Sequence, residues 1–317
     1  MEIAYDPSTH LKIVQTLGEK KRAFIMKTQN LTILPIMALL VCCCLAYQGT
    51  ILGWLGVKGS GHVVEEKREV NDITGVTLAT MGTLFIKTGE TESLFIEAED
   101  NLLEHITTNV RNGTLKIDDA WDVYLRPTMP IKYHLTVTDL DTIKISSSGD
   151  VYAEIPDLEA GRFSVKISSS GNLNMGDLHA DSITVRISSS GDMVTGKVQT
   201  DSLSVNISSS GDMTINEFIG DSLHVHLSSS GDLNIESGRV NRQDIKISSS
   251  GTYTAKHLES VEVEVNLSSN GKATIRVSDK LKATLSSSGD LYYAGNPTVN
   301  ARTSSSGEIK IITNESI

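Results

Sequence analysis

The sequence predicts an all-β chain wound as a single-stranded parallel β-helix, a β-solenoid of short coils with a period near 20 residues. The tetrapeptide Ser-Ser-Ser-Gly ends at Gly149, Gly171, Gly191, Gly211, Gly231, Gly251, Gly289 and Gly307, and Ser-Ser-Asn-Gly ends at Gly271. The spacings are 22, then 20 five times, then 18 twice. A period this short, with no helical periodicity inside it, marks a repeat in which each unit is one coil. Within the unit, apolar residues alternate before the serines, as in Leu203, Val205 and Ile207, and again after the glycine, as in Met213 and Ile215. Period-2 alternation means strand. Aromatic residues make up only 5% of the chain, which suits a narrow core.

Each element follows from that frame. Two inward columns are expected: Ile145, Ile167, Ile187, Ile207, Leu227, Ile247, Leu267, Leu285, and beside it Ile143, Val165, Val185, Val205, Val225, Ile245, Val265, Ala283. Stacked at about 4.8 Å, such columns bury neighbouring coils against each other. The glycine is expected where the chain turns with positive φ, and at least one serine per coil is expected to point inward in a hydrogen-bonded ladder.

Residues 58–140 lack the triplet but keep short alternating strands, so they are expected to form irregular capping coils ahead of the repeat at 141–317. No cap is evident after Ile309, Ile311 and Ile312, and that end is a candidate subunit contact. Upstream, Leu31 to Val57 carries no charge over 27 positions, enough to span a bilayer core that needs about 20 apolar residues. Lys20, Lys21, Arg22 and Lys27 precede it, so residues 1–30 are assigned to the cytoplasm and everything after residue 58 to the outside. Met26 also reads as the start of a signal peptide, which would leave residues 1–25 untranslated. Cys42, Cys43 and Cys44 sit at the end of the apolar run and are the lipidation candidates; an uncleaved anchor and cleavage after Ala46 are the alternatives. The expected location is the cell envelope or surface, membrane- or lipid-anchored, or secreted if cleaved. No cysteine lies in the exported part, so neither disulfides nor zinc-thiolate sites are expected there.

A resemblance emerges from the stretch Gly59 to Val70, from Ile73 to Val76, from Leu94 to Leu103, and above all from the repeated Ile-Ser-Ser-Ser-Gly-Asp. These residues are similar to the bacterial family called putative auto-transporter adhesin, head GIN domain, over residues 59 to 317. The resemblance implies an exported, often lipid-anchored β-helical protein and brings no catalytic residues with it.

Net charge −11 excludes nucleic acid as a partner. No repeat offers a Ser-His-Asp set and the repeat is nearly unbroken, so no enzyme is expected. Outward on the strand before the serines lie Lys144, Lys166, Arg186, Asn206, His226, Lys246 and Asn266. Lys166, Arg186, Asn206, His226 and Lys246 are the candidate ligand-binding residues for a glycan or surface polymer; an ordinary solvated face is the alternative. After each glycine comes an acidic column that includes Asp150, Asp192, Asp212 and Asp232. Each Asp caps its turn, or Asp192, Asp212 and Asp232 bridge coils through calcium; no other cofactor is expected. Asp181, Asp201 and Asp221, each followed by Ser, fit the same turn reading, and His224 with His226 lacks a third metal ligand. The function expected is a non-catalytic binding module for a glycan or protein on a surface. The alternative is a structural or sensory envelope component that self-assembles through its ends, without an outside ligand.

Overall fold

The computed structural model describes residues 56–155, 161–304 and 306–312. Met26, the apolar segment up to residue 55 and the three cysteines lie outside the described residues.

The molecule is a β-solenoid with parallel pairing from coil to coil. Strands preceding the serines form a first sheet through Thr142–Ile145, Arg162–Ile167 and Ser182–Ile187, then through the second halves of Met193–Ile207, Met213–Leu227, Gly238–Ile247, Thr252–Leu267 and Lys272–Leu285, to Thr298–Thr303. Strands following the glycine form a second, from Asp150–Glu154 to Ile309–Ile311. A short third side begins at Leu178–His179 and continues through Val198, Phe218, Gly238 and Leu258. Both inward columns run in the expected register, and all their members are buried. Burying one such side chain is worth roughly 2 kcal/mol. Because the burying partner is the next coil, a coil is stable only in the stack.

The serine corner is built differently from the expectation. The serines are exposed or half-buried, and the glycine is the residue that faces inward. The first hydroxyl of a triplet donates to the isoleucine carbonyl one coil back, as from Ser168 to Ile145 at 3.3 Å, and the second donates to the corresponding serine carbonyl, as from Ser169 to Ser147. The glycines that end the serine tetrapeptides, Gly149, Gly171, Gly191, Gly211, Gly231, Gly251, Gly271, Gly289 and Gly307, do not carry positive φ. Space is what requires them: a Cβ built on Gly171 would stand 2.1 Å from the carbonyl oxygen of Gly149, and one on Gly211 would stand 2.3 Å from that of Gly191. Carbonyl-to-α-carbon contact between coils therefore fixes the residue.

One inward column is interrupted. Phe163, Ile183, Leu203 and Leu223 are followed by Gln243, which is fully buried. Its amide nitrogen donates to the hydroxyl of Ser260, and its oxygen accepts from the Tyr253 hydroxyl at 2.6 Å. The three polar groups satisfy one another inside an apolar core, as buried polar groups must.

At the other end, stacking order departs from chain order. Gly75–Leu78 lies between Thr142–Ile145 on one side and Thr114–Asp119 on the other, so residues 114–137 stack outside the coil at 75–88. Antiparallel strands finish this end: Ile106–Arg111 on Thr114–Asp119, and Ser93–Glu99 on Lys132–Val137 with Val63–Arg68 outermost. Asn112 (φ 50°) and Gly113 (φ 74°) make the two-residue hairpin turn that needs positive φ at both positions. The outermost strand carries Glu65, Glu66, Lys67 and Arg68, which discourage further pairing. Glu99 is wholly buried here; its carboxylate accepts from the N–H groups of Gly61 at 2.6 Å and Thr128 at 2.8 Å and from the Thr128 hydroxyl. At the opposite end every residue of Thr298–Thr303 is exposed.

Candidate functional site

The outward residues of the first sheet form a continuous column: Thr77, Lys144, Lys166, Arg186, Asn206, His226, Lys246, Asn266. Parallel pairing in exact register places their Cα atoms one strand spacing apart, about 4.8 Å. The outward column two residues earlier on each strand decides what these cations do. Beside Lys144, Lys166 and Arg186 it presents Thr142, Ser164 and Thr184, all neutral. Farther along it presents His224, Asp244, Glu264 and Lys282.

The stripe therefore divides in two. Lys246 reaches Asp244 at 3.4 Å, Arg242 reaches Glu262 and Glu264 at 3.5 and 3.6 Å, and Lys280 and Lys282 reach the same two glutamates at 2.6 and 2.8 Å. Lys280 and Lys282 respectively hold Glu262 and Glu264 below the usual carboxylate range, chiefly by hydrogen bonding. Lys144, Lys166 and Arg186 are exposed, and no carboxylate lies within 4.0 Å of them among the described residues. At strand spacing in bulk water, two like charges repel by about 1 kcal/mol. Among the described residues no carboxylate relieves this for the three cations. Of the five residues expected to bind ligand, Lys166 and Arg186 lie in the unneutralised half together with Lys144, Asn206 and His226 lie between the halves, and Lys246 lies in the neutralised half.

The acidic column forms a ladder. The Oδ1 atom of Asp150 accepts from the N–H of Asn172 at 2.9 Å, that of Asp192 from Asp212 at 2.8 Å, that of Asp212 from Asp232 at 2.8 Å, and that of Asp232 from Thr252 at 2.7 Å. Each side chain thus ties its turn to the turn one coil later. His224 and His226 are exposed beside Asp244 and Lys246 around a hollow of about 260 Å³. Among the described residues no group of three or more His, Cys, Asp or Glu side chains is placed to hold a metal ion.

Strand alternation did not point to two further features. One is an aromatic column on the second sheet, where Phe85 stacks on His134 with centroids 5.3 Å apart and on Tyr152 at 5.6 Å. Its signal was an aromatic at an outward position between two inward aliphatics, as in Leu84-Phe85-Ile86. The other is a groove of about 910 Å³ running across the coils from His179 to Asn296. Its residues come from the corner between the third side and the first sheet, where alternation lapses and the period alone gives the positions.

A family model described as putative auto-transporter adhesin, head GIN domain matches residues 72–200 and 193–297, more than half of the chain. Comparison with curated proteins gives no match. Among solved structures, a putative adhesin from Parabacteroides merdae is 21% identical with a TM-score of 0.63, covering 81% of this chain and 99% of its own. A putative adhesin from Parabacteroides distasonis is 19% identical with a TM-score of 0.61 and the same coverage. A putative lipid binding protein from Parabacteroides distasonis is 21% identical with a TM-score of 0.55, again covering 81% and 99%. At these identities the likeness is one of fold.

Proposed function

Because the chain belongs to the putative auto-transporter adhesin, head GIN domain family, we propose that it is a non-catalytic, exported cell-surface module that binds a repeating anionic polymer, such as an acidic glycan. The observation that carries this reading is the register-locked trio Lys144, Lys166 and Arg186, three exposed cations on adjacent coils beside neutral hydroxyls. A polymer with anionic groups at comparable intervals relieves their mutual repulsion and gains by engaging several at once.

The test is a panel of acidic and neutral polysaccharides presented to the purified chain at low and moderate salt. Acidic members bind and neutral ones do not, and replacing Lys144, Lys166 and Arg186 together with serine removes the binding, whereas Lys280→Ser with Lys282→Ser leaves it. A second reading, an envelope component assembling through its ends, is favoured by the last described coil, where Val299 is 41% and Ile311 is 60% exposed. Concentration-dependent association, with no binding to any member of the panel, would replace the first reading with the second.

A further inference from the structure

The groove across the third corner has more than three times the volume of the hollow beside His224, about 910 against about 260 Å³. It is far from uniform along its length, and that is the informative property. Its floor is a column of small residues, Ala180, Thr200, Gly220, Val240, Ser260 and Val277. All are buried except Gly220, which is half-buried. A Cβ on Gly220 would stand 2.4 Å from the Thr200 carbonyl oxygen, and one on Gly295, at φ 109°, would stand 2.0 Å from that of Val277. Close coil-to-coil backbone packing thus keeps the floor low.

The two walls differ. One rim carries Asp181, Asp201, Asp221 and then Asn241, all exposed, with the Asn241 amide donating to Asp221 at 2.8 Å. The other carries His179, Gln199, Ile219, Arg239 and Glu259, five chemistries at successive coil steps. The serine corner, by contrast, repeats one chemistry from coil to coil. A wall that changes at every coil suits a ligand whose units also change.

From this we infer that the groove is a docking site for an extended peptide segment of a partner protein, with basic side chains lying at the Asp181–Asp221 end. From the coil of Asp181 to that of Asn296 there are six intervals, or about 29 Å at strand spacing. That length accommodates about eight residues of extended chain at ~3.4 Å each. No Phe, Tyr or Trp lines the groove. It therefore lacks the ring faces on which sugar C–H groups pack, and the acidic rim disfavours the polyanion assigned to the lysine–arginine ladder. The floor's backbone groups are engaged in the parallel coil ladder, so strand addition is closed and recognition falls to side chains. Opposite charge at one end sets the direction in which the peptide lies.

The probe is a fluorescein-labelled octapeptide, Lys-Thr-Lys-Val-Lys-Thr-Val-Ser, titrated with the full chain and read by anisotropy, beside its Glu-for-Lys counterpart and spermine. The lysine peptide is expected to bind saturably, at least tenfold tighter than the glutamate peptide. Asp201→Arg with Asp221→Arg on the exposed rim weakens it at least tenfold. Val261, exposed on the same rim one coil beyond Asn241, is changed in Val261→Trp, which fills the groove without changing charge and does the same. Gln199→Ala with Ile219→Ala weakens the peptide at least threefold and leaves spermine unchanged. Lys166→Ser with Arg186→Ser has no effect, which keeps this site distinct from the polyanion ladder. Absence of saturable binding, indifference to Val261→Trp, or a Gln199/Ile219 variant that affects neither ligand would each overturn the proposal.

Discussion

Gly211 shows how tightly single residues are specified. With a Cβ placed 2.3 Å from the Gly191 carbonyl oxygen and 2.7 Å from Cγ2 of Ile187, Gly211→Ala forces two coils apart. It is expected to cost about 2 kcal/mol or more in denaturant unfolding, whereas Ser210→Ala on the exposed neighbour stays within about 0.5 kcal/mol. Gln243 sets a second test. Gln243→Leu fills the site but strands the Tyr253 hydroxyl, while Ser260 keeps its bond to the Leu258 carbonyl, at about 1–3 kcal/mol; adding Tyr253→Phe recovers part of that loss, a non-additivity that a double-mutant cycle measures. Glu99 makes stability depend on pH. Hydrogen bonding, first from the Thr128 side chain, holds its folded carboxyl below the ordinary 4.5. Its contribution is therefore complete above the unfolded value and is lost as pH falls through the folded one. Glu99→Gln should flatten the acid limb of the stability curve, and an acid limb identical to that of the unaltered protein would contradict the assignment. Of these residues only the glycines stood out in the sequence, and for the wrong reason. A turn cue is visible in one dimension, but the carbonyl of the coil beneath is not.

Strands and columns were far more legible, because a period of 20 residues kept from Gly171 to Gly271 gives register directly. Ile187, Ile207 and Leu227 had to be neighbours once each repeat was one coil, and Lys166 and Arg186 had to stand side by side on the outside. Which cations are neutralised was not legible: Arg242 is paired by Glu262 and Glu264 from the next coil, through side-chain geometry that spacing does not encode. The groove was hidden because its lining comes from the corner stretches of the long strands, where the strict inward–outward alternation lapses. For the acidic ladder, the observed acceptors make a specific prediction. Asp212→Asn keeps an oxygen for the N–H of Asp232 and is near neutral, whereas Asp212→Ala loses it and costs about 1 kcal/mol. Melting curves with and without calcium are expected to coincide, and a calcium-dependent rise would instead put a cation on the column.

Over the whole molecule, stability is a sum of coils and the interfaces between them, and so is the binding surface. The antiparallel strands at one end terminate pairing, and at the other the last described strands are Thr298–Thr303 and Ile309–Ile311. The capping region is the part the sequence described least, since residues 114–137 stack outside residues 75–88 and no period announces that exchange. Between the ends, the long faces present repeated chemistry: a cationic ladder, a hydroxyl corner and an acid-rimmed groove. The ladder at Lys144, Lys166 and Arg186 is the surface proposed to grip a polyanion. The most direct measurement of it is the affinity for dextran sulfate as salt is raised, for the unaltered chain and for the triple serine variant. The account predicts tight binding that weakens steeply with salt, as exposed charges are screened beyond about 8 Å at physiological ionic strength, and a variant that binds at least tenfold more weakly with a flatter salt dependence. Two superimposable curves would contradict it.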